Sequence, residues 1–239
     1  MPRFYITPPL TGLITLEAED AHHIRDVLRL SPGEAVTLCD GQGLQAQAEL
    51  TQVNKAGVYA QAGEAVPMGT DPNIRLCAYP SLSKGERFTW MLQKLVELGI
   101  SDIYPVLSER CISREMAGSK LDRFRRIVLE AAKQCGRSVL PTLHELQSFA
   151  SVVKAPVLAG EAKLFCYEAA TGSLRRALQA SPLTTAHILT GPEGGYSEAE
   201  ACLAADNGWA EVSLGRIILR CETAPLAAVS AVLYEAGAM

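Results

Sequence analysis

The chain has 239 residues, 48% hydrophobic and 20% charged, a balance that excludes fibrous and disordered classes and fits an ordinary globular protein. Its 22 basic and 26 acidic side chains leave a formal charge of −4, which excludes indiscriminate coating of nucleic acid but leaves room for a local basic face. No apolar run approaches the roughly 20 residues of a membrane span, and seven cysteines without CxxC spacing point to neither a disulfide framework nor a zinc site.

The N-terminus, "MPRFYITPPL", lacks a secretory pattern, so a cytoplasmic location is expected. Residues 1 to 66 read as short strands: "RFYI", "GLITL", "AVTLCD", "LQAQAELTQV" and "GVYAQAGEAV", each bounded by Gly, Pro, Asn or Asp. One helical piece, "EDAHHIRDVLRL", interrupts them and ends at "SPGE". This is the pattern of a small β-barrel-like module. "PMGTDPN", residues 67 to 73, reads as a linker.

Beyond it the period changes. "IRLCAYP" is a buried strand, "KGERFTWMLQKLVELGI" an amphipathic helix closed by Gly99, and "DIYPVLS" again a strand. "SKLDRFRRIVLEAAKQCG" is a helix with Ser119 as cap and Gly136 as stop. Strand "KLFCYE", helix "GSLRRALQA", strand "AHILTG", helix "SEAEACLAADNG", strand "EVSLG" and helix "APLAAVSAVLYEAG" follow. Strands alternating with helices of this length predict a parallel sheet between helices, an α/β fold.

Two loops in this part carry chemistry. Ser197 and Glu200 fit the S-x-x-E capping box, so "GPEGG" (191–195) joins a strand end to a helix start, where open α/β sheets bind ligands. It is neither a dinucleotide fingerprint nor a Walker loop, and Glu193 would repel a pyrophosphate. Glycines around a carboxylate suit a phosphate-free ligand with donors or a positive centre, such as S-adenosylmethionine. A tight turn with a surface glutamate is the simpler alternative. The second loop, "LGRIILRCETAP" (214–225), places Arg220 and Glu222 just before the last helix, with Thr223 as its cap and Pro225 in its first turn. Those two side chains either serve a ligand or clamp the loop as a local ion pair.

Together, "TGPEGGYSEAE" and "LGRIILRCETA" resemble the signature of the RsmE family, SPOUT-class methyltransferases acting on N3 of a uridine in small-subunit (16S) ribosomal RNA. The resemblance extends to "HHIRDVLRLSPGE", "KGERFTWMLQKLVELGISDIYPVLSERC" and "RFRRIVLEAAKQCGRSVLPTL". It implies a PUA-like RNA-binding β-barrel over 1–68 and a SPOUT methyltransferase domain over 74–239. It further implies a deep trefoil knot in the C-terminal parallel sheet, a homodimer packed through that region, and S-adenosylmethionine as cofactor. By position it places Leu189, Gly191, Pro192, Glu193 and Gly194 of the first loop at the cofactor, with Leu214, Gly215, Ile218, Leu219 and Arg220 of the second.

Deprotonating a uridine imide favours a cation near its oxygens and a carboxylate to take the proton, roles that fit Arg220 and Glu222 as catalytic residues. For the RNA, Lys120, Arg123, Arg126, Lys133 and Arg137 form one basic group, His22, His23, Arg25 and Arg29 a second, and Arg110 and Arg114 a third. Each could contact phosphate or simply be solvated. The resemblance could place Glu97 near the active site; an exposed i, i+3 pair with Lys94 is the alternative. The alternatives within reach are a SPOUT enzyme of tRNA and a catalytically silent RNA-binding or ribosome-assembly protein. Metal is not indicated.

Overall fold

The computed structural model describes residues 1–156, 158, 160–179 and 183–239. The chain forms two compact units: Met1–Asp71 with Lys133–Leu140, and Pro72–Ala132 with Pro141–Met239.

The smaller unit is a five-stranded sheet of order β1-β3-β4-β5-β2. Its strands are β1 (Arg3–Tyr5), β2 (Gly12–Thr15), β3 (Ala35–Cys39), β4 (Leu44–Asn54) and β5 (Gly57–Pro67). All neighbours are antiparallel except β1 and β3. Alternation along these strands turns Phe4, Ile14, Val36, Leu38, Leu50 and Val58 into one core. The helical piece is α1 (Ala18–His22), which widens into a π turn over His23–Val27 and buries Ile24 in the same core.

Lys133–Leu140 belongs to this unit, not with residues 74–239 as the sequence suggested. Asp71 is the reason. Its carboxylate accepts from Arg137 Nε, from the Ser138 hydroxyl and amide, and from the Val139 amide. Lys133 meets Asp20 at 3.3 Å, and the Tyr5 hydroxyl donates to the Arg137 carbonyl.

The larger unit is built on six parallel strands in the order β13-β11-β12-β6-β7-β9. In chain order its elements are β6 (Arg75–Pro80), α2 (Glu86–Glu97), β7 (Asp102–Ile103), β8 (Val106–Leu107), α3 (Ser119–Cys135, of which the end from Lys133 belongs to the smaller unit), β9 (Thr142–Leu143) and β10 (Gln147–Ser148). Then come α4 (Phe149–Lys154), β11 (Ala162–Cys166), α5 (Leu174–Leu178), β12 (Thr185–Thr190), α6 (Glu198–Asp206), β13 (Ala210–Val212) and α7 (Ala224–Glu235). Helix α7 packs on β6, β12 and α2, and α4 packs on α6. Phe149, Phe165, Leu189, Tyr196 and Trp209 form a core there.

Three local expectations change. "DIYPVLS" splits into β7 and β8 at Pro105, which has no N–H for a ladder, and β8 pairs with β10 outside the main sheet. The start of α3 is set by Gly118, whose carbonyl takes the first helical bond from Asp122, so Ser119 lies inside the helix. Thr223 precedes α7 but its side chain caps nothing; the amides of Thr223 and Ala224 both bond the Arg220 carbonyl at 2.9 Å. Ala180, the end of the expected "GSLRRALQA" helix, lies outside the described residues.

Candidate functional site

Strands β11, β12 and β13 are parallel, so their carboxyl ends share one edge of the sheet. Three loops leave that edge: Cys166–Glu168, Gly191–Gly195 and Ser213–Glu222. With Arg87 from the first turn of α2 they line a cleft of about 640 Å³, inside the roughly 300–1,000 Å³ range of small-molecule sites. The capping box anticipated at α6 is formed: Ser197 Oγ accepts from the Glu200 amide at 3.3 Å, and the Ser197 amide donates to Glu200 Oε2 at 3.0 Å. It starts the helix directly after the glycine loop. Glu200 also accepts from the Glu109 amide at 2.8 Å, and Arg110 donates to the Gly194 carbonyl at 3.0 Å. A side chain on Gly194 would press against Arg110.

Gly191, Pro192, Glu193, Gly194, Leu214, Gly215, Ile218, Leu219, Arg220 and Glu222 all line the cleft. Leu189 does not. As the fifth residue of β12 its side chain points into the core with Phe165 and Tyr196 and is fully buried. Glu193 lines the cleft but is occupied. Its Oε1 accepts from the Lys84 amide at 3.3 Å and lies 3.7 Å from Arg87 Nη1. The α2 start has only Gly85 at its cap position, without a side-chain cap bond. The carboxylate therefore braces the loop against a helix N-terminus whose amides favour negative charge.

Arg220 and Glu222 stand 4.0 Å apart, with Arg220 80% exposed and Glu222 12% exposed. A pair that long with one partner in water is a weak clamp. Burial pushes the Glu222 carboxyl up, but its own backbone amide, the Cys221 thiol, Arg87 and Arg220 outweigh it and hold the group below the usual carboxylate range. Cys221 donates to Glu222 at 3.2 Å. Burial, that bond and Glu193 push its thiol up to about 12, so it stays protonated at neutral pH and packs rather than reacts.

The basic groups divide sharply. Arg123 and Arg126 are exposed on α3 and, among the described residues, make no hydrogen bond or ion pair. Lys120 folds back onto Ser113 and the Glu115 carbonyl, and Arg114 onto the Glu109 carbonyl. His22 and Arg25 both meet Asp26, while Arg29 is exposed with a φ of 54°. Arg137 is a correction. It lies past the end of α3, is 6% exposed and is ion-paired with Asp71, so it cannot meet a phosphate. Lys94 and Glu97 form the exposed pair, at 2.7 Å.

Sequence reasoning missed Arg87, Tyr167, Glu168 and Arg216 of the cleft. The available signal was position: Glu168 ends "KLFCYE" beside β12, and Arg87 opens the helix after β6.

The parallel sheet, its carboxyl-edge cleft and the smaller β unit are those of an RNA methyltransferase carrying a PUA domain. Residues 70–233 match the family model described as the RNA methyltransferase domain, and residues 16–62 match that of the RNA methyltransferase PUA domain. The ribosomal RNA small subunit methyltransferase E of Synechocystis is 33% identical over 92% of this chain and 73% of its own. The Bacillus subtilis protein of the same name is 29% identical over 92% and 90%. A crystal structure of that enzyme from Neisseria gonorrhoeae, bound to S-adenosyl methionine, superposes with a TM-score of 0.88, is 33% identical, and covers 98% of this chain and 97% of its own. The chain belongs to the ribosomal RNA small subunit methyltransferase E family.

Proposed function

We propose that this protein transfers a methyl group from S-adenosylmethionine to N3 of a uridine in 16S ribosomal RNA of the small subunit. The observation that carries the reading is the cleft itself. It offers bare backbone at Gly191, Gly194 and Gly195, apolar walls at Leu214, Ile218 and Leu219, and three arginines balanced by three glutamates. Such a lining fits a flat base, hydroxyls and a cationic centre, and disfavours a pyrophosphate. The backbone of Gly191, Pro192, Gly194, Leu214 and Gly215 would hold the cofactor, with Ile218 and Leu219 against the adenine. Glu193 acts as the brace of that loop.

When bound, the cofactor supplies an electrophilic methyl group. The protein's own task is the uridine: the imide proton must leave, and negative charge then spreads onto the flanking carbonyl oxygens. Arg220, exposed and weakly held, is free to turn toward those oxygens. Glu222, kept ionised by its neighbours, would accept the proton. Holding base and methyl in line supplies the rest of the acceleration.

RNA would be positioned through phosphate contacts from Arg110, Arg114, Lys120, Arg123 and Arg126 in the larger unit and from His22, Arg25 and Arg29 in the smaller one. This shares RNA binding between the smaller, PUA-like unit, residues 1–71 with 133–140, and the larger one, which carries methyl transfer. We also infer a cytoplasmic homodimer with the cofactor loops threaded as a trefoil knot. The dimer is supported by apolar surface near the cleft, where Ile217 and Ile218 are 81% and 80% exposed, and by exposed Tyr234 in α7. The deciding experiment is mass mapping of modified nucleosides in 16S rRNA from cells with and without the protein. Loss of one N3-methyluridine on deletion, restored by the purified protein with S-adenosylmethionine, supports the reading. An unchanged map would overturn it.

A further inference from the structure

The cleft holds three carboxylates, and two are engaged. Glu193 is tied to the Lys84 amide and Arg87, and Glu222 accepts from Cys221. Glu168 is different. It sits two residues past the end of β11, whose Cys166 lies in register with Thr190 of β12, so its loop and the glycine loop leave neighbouring strand ends. Its carboxylate lies against Gly195, where a side chain on that glycine would stand. Among the described residues its carboxylate accepts no hydrogen bond and has no cation within ion-pair distance, and Arg216 in the same cleft is likewise unpaired.

Gly195 adds a second argument. Its φ of 66° already favours glycine, and the missing side chain also leaves room for the Glu168 carboxylate beside the loop. An acidic group drawn over bare backbone in a ligand-sized cleft, and left without a counter-ion, is complementary to a positive charge that arrives with the ligand.

We infer that Glu168 is the residue that receives a cationic group of the cofactor, and so gives the cleft its preference for a charged ligand. The inference rests on the S-adenosylmethionine reading above. That molecule carries two cationic groups, an ammonium and a sulfonium. S-Adenosylhomocysteine keeps only the ammonium, and methylthioadenosine has neither. A carboxylate at Glu168 therefore separates the three by charge, while the glycine backbone and the Ile218 and Leu219 walls treat their shared adenosine alike.

The test is calorimetric titration of wild-type protein and Glu168→Gln with each of the three compounds, beside thermal denaturation of the ligand-free proteins. The substitution keeps size and removes charge at an exposed position. Binding of S-adenosylmethionine is expected to weaken about tenfold, with methylthioadenosine unchanged and melting unaltered. Parallel weakening of S-adenosylhomocysteine assigns Glu168 to the ammonium; an unchanged value assigns it to the sulfonium. Unchanged S-adenosylmethionine affinity, or equal weakening of methylthioadenosine, overturns the inference while leaving the cofactor reading intact. Wild-type protein that binds none of the three overturns both.

Discussion

Replacing Asp71 by alanine removes the group around which Lys133–Leu140 is folded. The carboxylate is 16% exposed and its partner Arg137 is 6% exposed, so this is a largely buried ion pair. Deleting one member of such a pair costs about 3–5 kcal/mol, because the other charge keeps its desolvation penalty without its counter-ion. The Ser138 and Val139 amides, bonded at 2.8 and 2.9 Å, lose their acceptor as well. Against a domain stability of about 5–15 kcal/mol, a loss of about 3 kcal/mol or more is expected. Asp71→Asn keeps an acceptor for the amides and should fall between the two. Burial pushes the Asp71 carboxyl up, but bonds from Ser138 and Arg137 and the Arg137 charge outweigh it and hold it below 3.8. The stabilisation is therefore complete above the unfolded value and is lost as pH falls through the lower folded one. Guanidinium unfolding combined with amide exchange over residues 133–140 measures the effect. A loss under about 1 kcal/mol, the size of one ordinary hydrogen bond, with those amides still protected, refutes the reasoning.

Gly195→Ala forces an L-residue into a left-handed conformation, at about 1–2 kcal/mol, and pushes Glu168 aside; calorimetry should show weakened cofactor binding in a folded protein, and unchanged affinity would contradict the cleft assignment. Arg220→Ala and Glu222→Gln should each slow single-turnover methylation by about a hundredfold or more without lowering the melting temperature; normal turnover with early melting would leave only a loop clamp. Arg123→Glu with Arg126→Glu should weaken RNA binding and flatten its salt dependence while cofactor affinity holds; unaltered RNA affinity would mean that this helix face is merely solvated. Burial holds the His187 imidazole below its ordinary 6.5 despite the opposing Glu161. The unfolded chain therefore binds the extra proton first, and stability should fall as pH drops below about 6.5, with a shallower slope for His187→Gln. Equal slopes would remove His187 from the acid response.

Features set by near neighbours in the chain were legible in advance. The Ser197–Glu200 box spans three residues, and α6 begins where it says. The strand and helix periods placed the parallel sheet, and the two motif loops were recognised as one site because their residues carry the resemblance as a set. What was not legible depended on distant partners. Arg137 looked like one more member of a basic helix because its counter-ion lies 66 positions away. Glu193 lines the cleft, and its bond from an amide 109 positions away could not be read from the motif. Leu189 has its side chain in the core with Phe165 and Tyr196, so a role at the cofactor would fall to its backbone. Glu168 and Arg87 belong to no pattern at all. Only the sheet order, which sets β11 beside β12, brings the end of "KLFCYE" to the glycine loop.

The placement of Lys133–Leu140 with the first 71 residues changes what counts as a removable part. Along the chain, the smaller unit is left after Asp71, re-entered at Lys133 and left again after Leu140. A cut in the 67–73 segment therefore cannot release it whole. A fragment ending there would lack Lys133–Leu140, and the remainder would carry that stretch without the sheet of its unit, keeping Asp71 only if the cut falls before it. The smaller unit cannot be exchanged between relatives as a single cassette. Transplanting it means moving both segments together, so recombination at one junction should yield an insoluble chimaera where a two-segment graft folds.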